Sequence, residues 1–284
     1  MLAVDPYYER SHPRVHYGHG FLTAAAVALA AAAPVVQGAE ATDTESPWKI
    51  GIAFGHGERS NPLVQSEDID ILVDIDIAWF GERWFFDNGD VGLTLRDDER
   101  FTLNLIGRFN SDRVFFSKTD TEYVSLFTSA GASSETIEVP DRDYAFEVGF
   151  EVLSDGDWGF LQLAAHRDAS DRHRGYEFYA NYGRTFRRQR WFFEPSFGVS
   201  WKSENLNDYY YGVREDEANT LLPTYRADGG FNTHARFATS YQLDRHWTFL
   251  LAAEYERLNG EAGNSPLVAE RAVRSGFTGF NSRF

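Results

Sequence analysis

The chain has 284 residues, no cysteine, one methionine and 16% aromatic side chains, and its 27 Lys plus Arg face 43 Asp plus Glu for a formal net charge of −16. That sign excludes the cationic surface a nucleic-acid binder needs, and the missing thiols exclude disulfide frameworks, thiolate metal sites and cysteine nucleophiles. The 24 Phe, 14 Tyr, 7 Trp and 24 Gly favour strands and turns over helices. A mean hydropathy of −0.43 excludes a helical membrane protein but not a barrel, whose apolar face alternates with a polar one.

Residues 21–36 read FLTAAAVALAAAAPVV, apolar except for Thr23, with Pro34 near the end and the small residues Ala39 and Ala41 following. The run is short and Ala-rich for a bilayer span, and small residues at −3 and −1 suit signal-peptidase cleavage. Residues 1–41 are expected to be a secretory signal peptide, and 42–284 the exported barrel domain.

From Trp48 onward the dominant pattern is apolar alternation. Ile69, Ile71, Val73, Ile75, Ile77 and Trp79 occupy odd positions, while Asp70, Asp74 and Asp76 lie between them. A helix would scatter those aspartates around its circumference; a strand puts them on one face. Similar segments follow at 101–109, 144–153, 160–167, 175–186, 191–201, 231–243 and 247–257, with 49–55 before them and 274–284 at the end. The links alternate in length, short at 80–83, 96–100, 154–157, 187–190 and 244–246, long near 56–67, 110–142, 168–174, 202–230 and 258–273. Short turns at one end and long loops at the other are the habit of an outer-membrane barrel. Reading 84–95 as a hairpin turned at Asn88-Gly89, the preferred two-residue turn, restores strict alternation and gives an all-β, antiparallel transmembrane β-barrel of twelve strands. Ten would result if that hairpin formed only a lip.

The expected outward set is aliphatic and aromatic. The expected lumen set is charged, with Asp70, Asp74, Asp76, Arg108, Glu147, Glu194, Arg236 and Glu254, and the same face carries Asn104, Glu151, Glu177 and Asn181. Trp79, Trp84, Trp158, Trp191, Trp201 and Trp247 fall near strand ends, as an interfacial girdle requires. The terminal Phe284 fits the aromatic carboxylate that outer-membrane assembly recognises.

The segment from Trp201 through Asn205, Tyr209, Tyr210, Tyr211, Gly212 and Val213 resembles the MipA/OmpV family of outer-membrane proteins. There, a strand ending in Trp leads into a Tyr-Tyr-Gly-Val loop. Further matches are Tyr241-Gln242-Leu243, Tyr255-Glu256-Arg257-Leu258 and Ser265-Pro266-Leu267-Val268. The last strand departs from the usual pattern of a tyrosine two residues before the final aromatic. The family name stands for MltA-interacting protein, so the resemblance implies a non-enzymatic scaffold joining a lytic transglycosylase to a bifunctional penicillin-binding murein synthase. Alternatives are a narrow cation-preferring pore, given the acidic lumen set, and a surface adhesin.

By strand parity the loop 202–230 is expected on the extracellular or luminal side, whereas murein enzymes work in the periplasm. The motif over 209–213 is therefore expected to be structural, folding over the lumen. Periplasmic contacts are expected from the short turns, among which Arg187, Arg188 and Arg190 form a basic cluster suited to an acidic partner or to lipid head groups. No cofactor is expected. His166, Asp168, Ser170 and His173 are close in sequence but match no nucleophile-elbow spacing. Asp70, Asp74 and Asp76 are expected to pair with Arg108 and Arg236 rather than to hold a cation.

Overall fold

The computed structural model describes residues 47–116, 139–244 and 246–283; the segment read as a signal peptide and the terminal Phe284 lie outside them. The strands are β1 (Trp48–Arg59), β2 (Ile69–Phe80), β3 (Trp84–Asp87), β4 (Asp90–Asp97), β5 (Thr102–Phe109), β6 (Phe146–Gly156), β7 (Gly159–Asp168), β8 (Tyr176–Gly183), β9 (Phe186–Arg188), β10 (Trp191–Lys202), β11 (Gly230–Gln242), β12 (Trp247–Arg257) and β13 (Ala272–Arg283). All pairings are antiparallel. β13 returns to β1, and β10 pairs with β11, so the sheet closes on itself. β8 and β9 both pair with β10 and form two pieces of one wall position, so the wall has twelve positions.

The burial pattern is inside out for a soluble protein. Phe54, Ile75, Phe150, Phe178, Phe197 and Phe231 stand exposed on the outer face, while Asn104, Glu147, Glu151, Gln162 and Asn181 are buried inside. A soluble sandwich would bury the aliphatic face; here that face meets hydrocarbon and the polar face lines the lumen. Of the seven tryptophans, Trp201 lies at the loop end, and Trp48, Trp79, Trp84, Trp158, Trp191 and Trp247 all lie at the end with the short turns.

The hairpin read at 84–95 forms, with Asn88 at φ 49° and Gly89 at φ 98°. These left-handed conformations suit Asn and Gly and match the twist of the flanking strands. Asn88 pins the turn to β2: its backbone N–H donates to the Ile77 carbonyl, and its side-chain oxygen accepts from the Ile77 N–H, each at 3.0 Å.

One expected face assignment is corrected. The β1–β2 register shifts between Phe54 and Gly57, and above that bulge Ile71 turns inward while Asp70 becomes exposed. A bulge breaks the period of two locally. Asp70 is therefore not a lumen charge, and Ile71 does not face lipid. Ile71 joins Ala53, Ala238, Leu250, Ala252 and Phe277 in an apolar patch on the inner wall.

The long connections at the other end form a crown. A 3₁₀ helix (Ser111–Phe116) follows β5. Helix α1 (Glu204–Tyr211) follows β10, and α2 (Gly260–Gly263) follows β12. α1 begins after Ser203 with Glu204 in its first turn, where a negative charge suits the helix dipole. It ends at Gly212, where a Cβ would come within 2.3 Å of the Asp208 carbonyl oxygen that accepts the Gly212 N–H. α2 is capped by Asn259, whose side chain accepts from the Ala262 N–H, the usual N-cap bond.

Candidate functional site: a charged lumen under a closed crown

Beneath the crown the lumen holds a buried network of charged and polar side chains. Arg108 on β5 donates to Glu147 on β6 at 3.0 Å and to Glu177 on β8 at 2.5 Å. Glu147 also accepts from Asn110 at 2.8 Å, and the His173 ring lies 3.3 Å away. Lys202, the last residue of β10, swings inward to both oxygens of Asp112 on the 3₁₀ helix at 2.7 Å each. A lower layer joins Glu151 to Asn104 and Gln162. Buried charges in a low-dielectric interior persist when each is paired and hydrogen-bonded.

The predicted lumen charges divide accordingly. Arg108, Glu147 and Asp74 are buried, Arg236 and Glu254 face each other across the β11–β12 ladder, and Glu194 accepts from Thr185 at 2.9 Å. Asp76 accepts from Asn88 at 2.9 Å. Asp74 lies in electrostatic reach of Arg236 and Asp76, but Arg108 is taken by the two glutamates, so the expected aspartate–Arg108 pairing is replaced. Asp112, Arg142 and Lys202 belong to the buried charge set without being foreseen from the sequence. Two of them lie in loops, and the third is the strand-end residue next to Trp201, so no periodicity marks them.

The crown above is apolar inside. Leu63, Phe115, Phe116, Leu206, Tyr210, Tyr211, Val213, Leu222, Leu258, Leu267 and Val273 are buried together, drawn from the loops between four pairs of strands and from the start of β13. The two family-like segments meet here. Ser265 donates its hydroxyl to the Tyr211 carbonyl at 2.5 Å and accepts from the Leu267 N–H. Val213 bridges to Tyr225, and Val268 to Leu63. Pro266 is partly buried between Ser265 and Leu267, and Asn205 points to solvent. The Tyr210 ring packs on Phe116, His173 and Tyr209, and the Tyr209 hydroxyl accepts from the Asp143 N–H at 3.0 Å. Burial pushes the Tyr210 and Tyr211 phenols above their ordinary pKa of 10. Trp201 stays on the outer rim, its ring tilted against those of Tyr176 and Phe178.

A second clamp holds the crown from the side. Arg142, only 2% exposed, donates to both Glu217 oxygens and to the Gly212 carbonyl. Burial raises the Glu217 pKa, but hydrogen bonds from Arg142 and from the Arg214 N–H outweigh it, so the carboxyl sits below its ordinary 4.5.

Asp168, Ser170 and His173 serve loop architecture, while His166 is buried within β7. The Asp168 carboxylate accepts from the Ser170 N–H and hydroxyl, the His173 N–H and the Arg174 N–H, and Ser170 in turn accepts from the Phe146 N–H.

At the opposite rim Arg187, Arg188 and Arg190 are exposed, as are Arg184 and Phe186. Arg187 and Arg188 end β9, and the tight turn falls at Gln189 (φ 56°). Arg190 donates to the Leu243 carbonyl at 3.1 Å. The turns after β2, β4 and β6 and the strand ends beside them carry Glu82, Asp97, Asp98, Glu99, Asp155 and Asp157 against Arg83, Arg96 and Arg100, so this part of the rim is mixed with an acidic excess, while 184–190 is basic.

The sequence model of the family described as "MltA-interacting protein MipA" matches residues 50–284. The MltA-interacting protein of Escherichia coli (strain K12) is 24% identical over 244 residues, 83% of this chain and 90% of that one. The outer membrane protein OmpV of Vibrio cholerae is 31% identical over 74 residues, 26% of this chain and 29% of that one. Among solved structures, the NanC porin aligns with a TM-score of 0.43 and 11% identity over 83% of this chain and 100% of that one. With the match covering every strand of the closed wall, the chain belongs to the MltA-interacting protein MipA family, and the protein is an outer-membrane β-barrel.

Proposed function

We propose that this protein is a non-conducting outer-membrane anchor that gathers murein hydrolase and murein synthase at its periplasmic rim. The carrying observation is the crown: an apolar core of loop residues lies over the barrel at that end, and buried ion pairs cross the lumen below it. In this reading the barrel offers partners its exposed periplasmic turns. The 184–190 sector and the facing acidic turns present both signs of charge there, which favours steering and register of a protein partner. The name of the Escherichia coli relative, MltA-interacting protein, supports the choice of a murein enzyme. The crown motif over 209–213 is structural in this reading, and Arg187, Arg188 and Arg190 are contact residues.

Co-purification from cross-linked envelopes tests it. Replacing 187–190 and 97–100 with neutral turns should remove captured murein enzymes while leaving barrel yield unchanged. Capture that survives both replacements places docking elsewhere. The competing reading, a cation-preferring pore, draws on the excess of lumen carboxylates and is distinguished by steady cation-selective current.

A further inference from the structure

The strand position shared by β8 and β9 runs on past its neighbour. Its last ladder pair with β7 is Gly183 against Phe160. Beyond it β9 is held by β10 alone, with no strand on its other side among the described residues. The register across the break is continuous: Tyr182 faces Phe197, Phe186 faces Phe193, and between them the Arg184 N–H donates to the Pro195 carbonyl at 3.1 Å. Alternation therefore divides the basic segment into two faces. Thr185, on the inner face, donates to Glu194, and Arg187 follows it inward over the Phe192 ring. Arg184, Phe186 and Arg188 share the outer face with Tyr182, the face that meets lipid.

That outer face is built at head-group depth. Trp158 stacks on Tyr182 with 6.1 Å between ring centroids, and the Tyr182 hydroxyl donates to the Trp158 carbonyl at 2.7 Å. Trp191, opposite Arg188, stacks on Phe193 at 5.6 Å and packs against Tyr241 at 4.7 Å. Such rings mark the membrane–water interface. Arg184 and Arg188 lie about 14 Å apart along the strand at ~3.4 Å per residue, within the combined reach of two long side chains. The Arg184 guanidinium leans over the intervening Phe186 ring, 5.3 Å from its centroid. Both arginines are exposed, and neither forms an ion pair among the described residues. Elsewhere on the surface Arg96, Arg174 and Arg274 each hold a carboxylate. A guanidinium fork fits phosphate oxygens bidentately, so two such forks on the lipid side, over an aromatic floor, suit a counter-charge supplied by the membrane itself.

We propose that Arg184 and Arg188 form a binding site for an anionic phospholipid of the inner leaflet. The two forks hold its phosphate from either side of Phe186, and its acyl chains run along the exposed Pro195 and Phe197 toward the bilayer centre. Arg187 and Arg190 take no part. The murein reading also draws on Arg188, but the lipid site is measured on the purified barrel alone, so each can fail without the other.

Native mass spectrometry of the purified barrel, titrated with phosphatidylglycerol or phosphatidylcholine, tests the site. The native barrel should retain phosphatidylglycerol in preference to phosphatidylcholine. R184Q/R188Q should weaken phosphatidylglycerol binding about thirtyfold, from roughly fivefold for each basic residue near an anionic surface. Two controls remove the same charge elsewhere: R187Q/R190Q from the rest of the basic segment, and R167Q/R257Q from exposed strand ends at the crown. Both should leave the preference intact, and inorganic phosphate should not displace the lipid. Should R184Q/R188Q fail to fold, Arg184→Gln and Arg188→Gln singly should each weaken binding about fivefold. Equal retention of the two lipids, displacement by inorganic phosphate, or an equal loss in all three double variants overturns the proposal.

Discussion

Arg142 and Arg108 are the residues on which the closed state turns, and they fail differently when removed. Arg108→Met would leave Glu147 and Glu177 buried without their cation, which should cost about 3–5 kcal/mol in urea unfolding of the lipid-embedded barrel. Arg142→Met should loosen the crown alone: exchange protection of residues 206–213 falls while the strands keep theirs. The Arg142–Glu217 clamp also sets a pH dependence. The Glu217 pKa is depressed below 4.5, so its contribution is complete above that value and lost as pH falls through the folded-state value. Crown protection, corrected for intrinsic exchange, should therefore decline below pH 4.5, and Glu217→Gln should flatten the decline. A crown indifferent to both substitutions would deny Arg142 its role.

The β3–β4 hairpin and α1 mark what is legible in the sequence among elements and what is not. Asn88-Gly89 announces its turn because two successive left-handed residues admit few side chains. Gly89→Ala, at φ 98°, should cost about 1–2 kcal/mol by the left-handed penalty, read as a lowered unfolding midpoint. Strand faces are legible wherever the period of two runs unbroken. They fail at Asp70 and Ile71, where an extra residue in the neighbouring strand shifts the register. No pattern inside β2 records an insertion in β1. α1 is not legible because eight residues give barely two turns of periodicity, and its two buried tyrosines are held by Phe116 and Ser265, far away in the chain. The resemblance picks out 209–213 and 265–268 as separate motifs; only the fold joins them. Ser265→Ala, which removes the bond to the Tyr211 carbonyl, should cost about 1 kcal/mol and increase proteolysis at the crown first.

At the scale of the molecule the chain combines an exposed aliphatic belt, a polar lumen crossed by buried ion pairs, an apolar crown and a rim of short, charged turns. The first two follow from alternation and are readable; the crown comes from long loops whose residues carry no period. The proposed anchor role depends on the mouth staying shut while the periplasmic turns remain available. Planar-bilayer recording of the native barrel, beside a variant whose residues 203–229 are replaced by a short Gly-Ser link, tests this most directly. The native barrel should give no steady current, and the shortened variant should open cation-preferring steps. Steady single-channel steps from the native barrel would contradict the closed mouth and with it the non-conducting anchor.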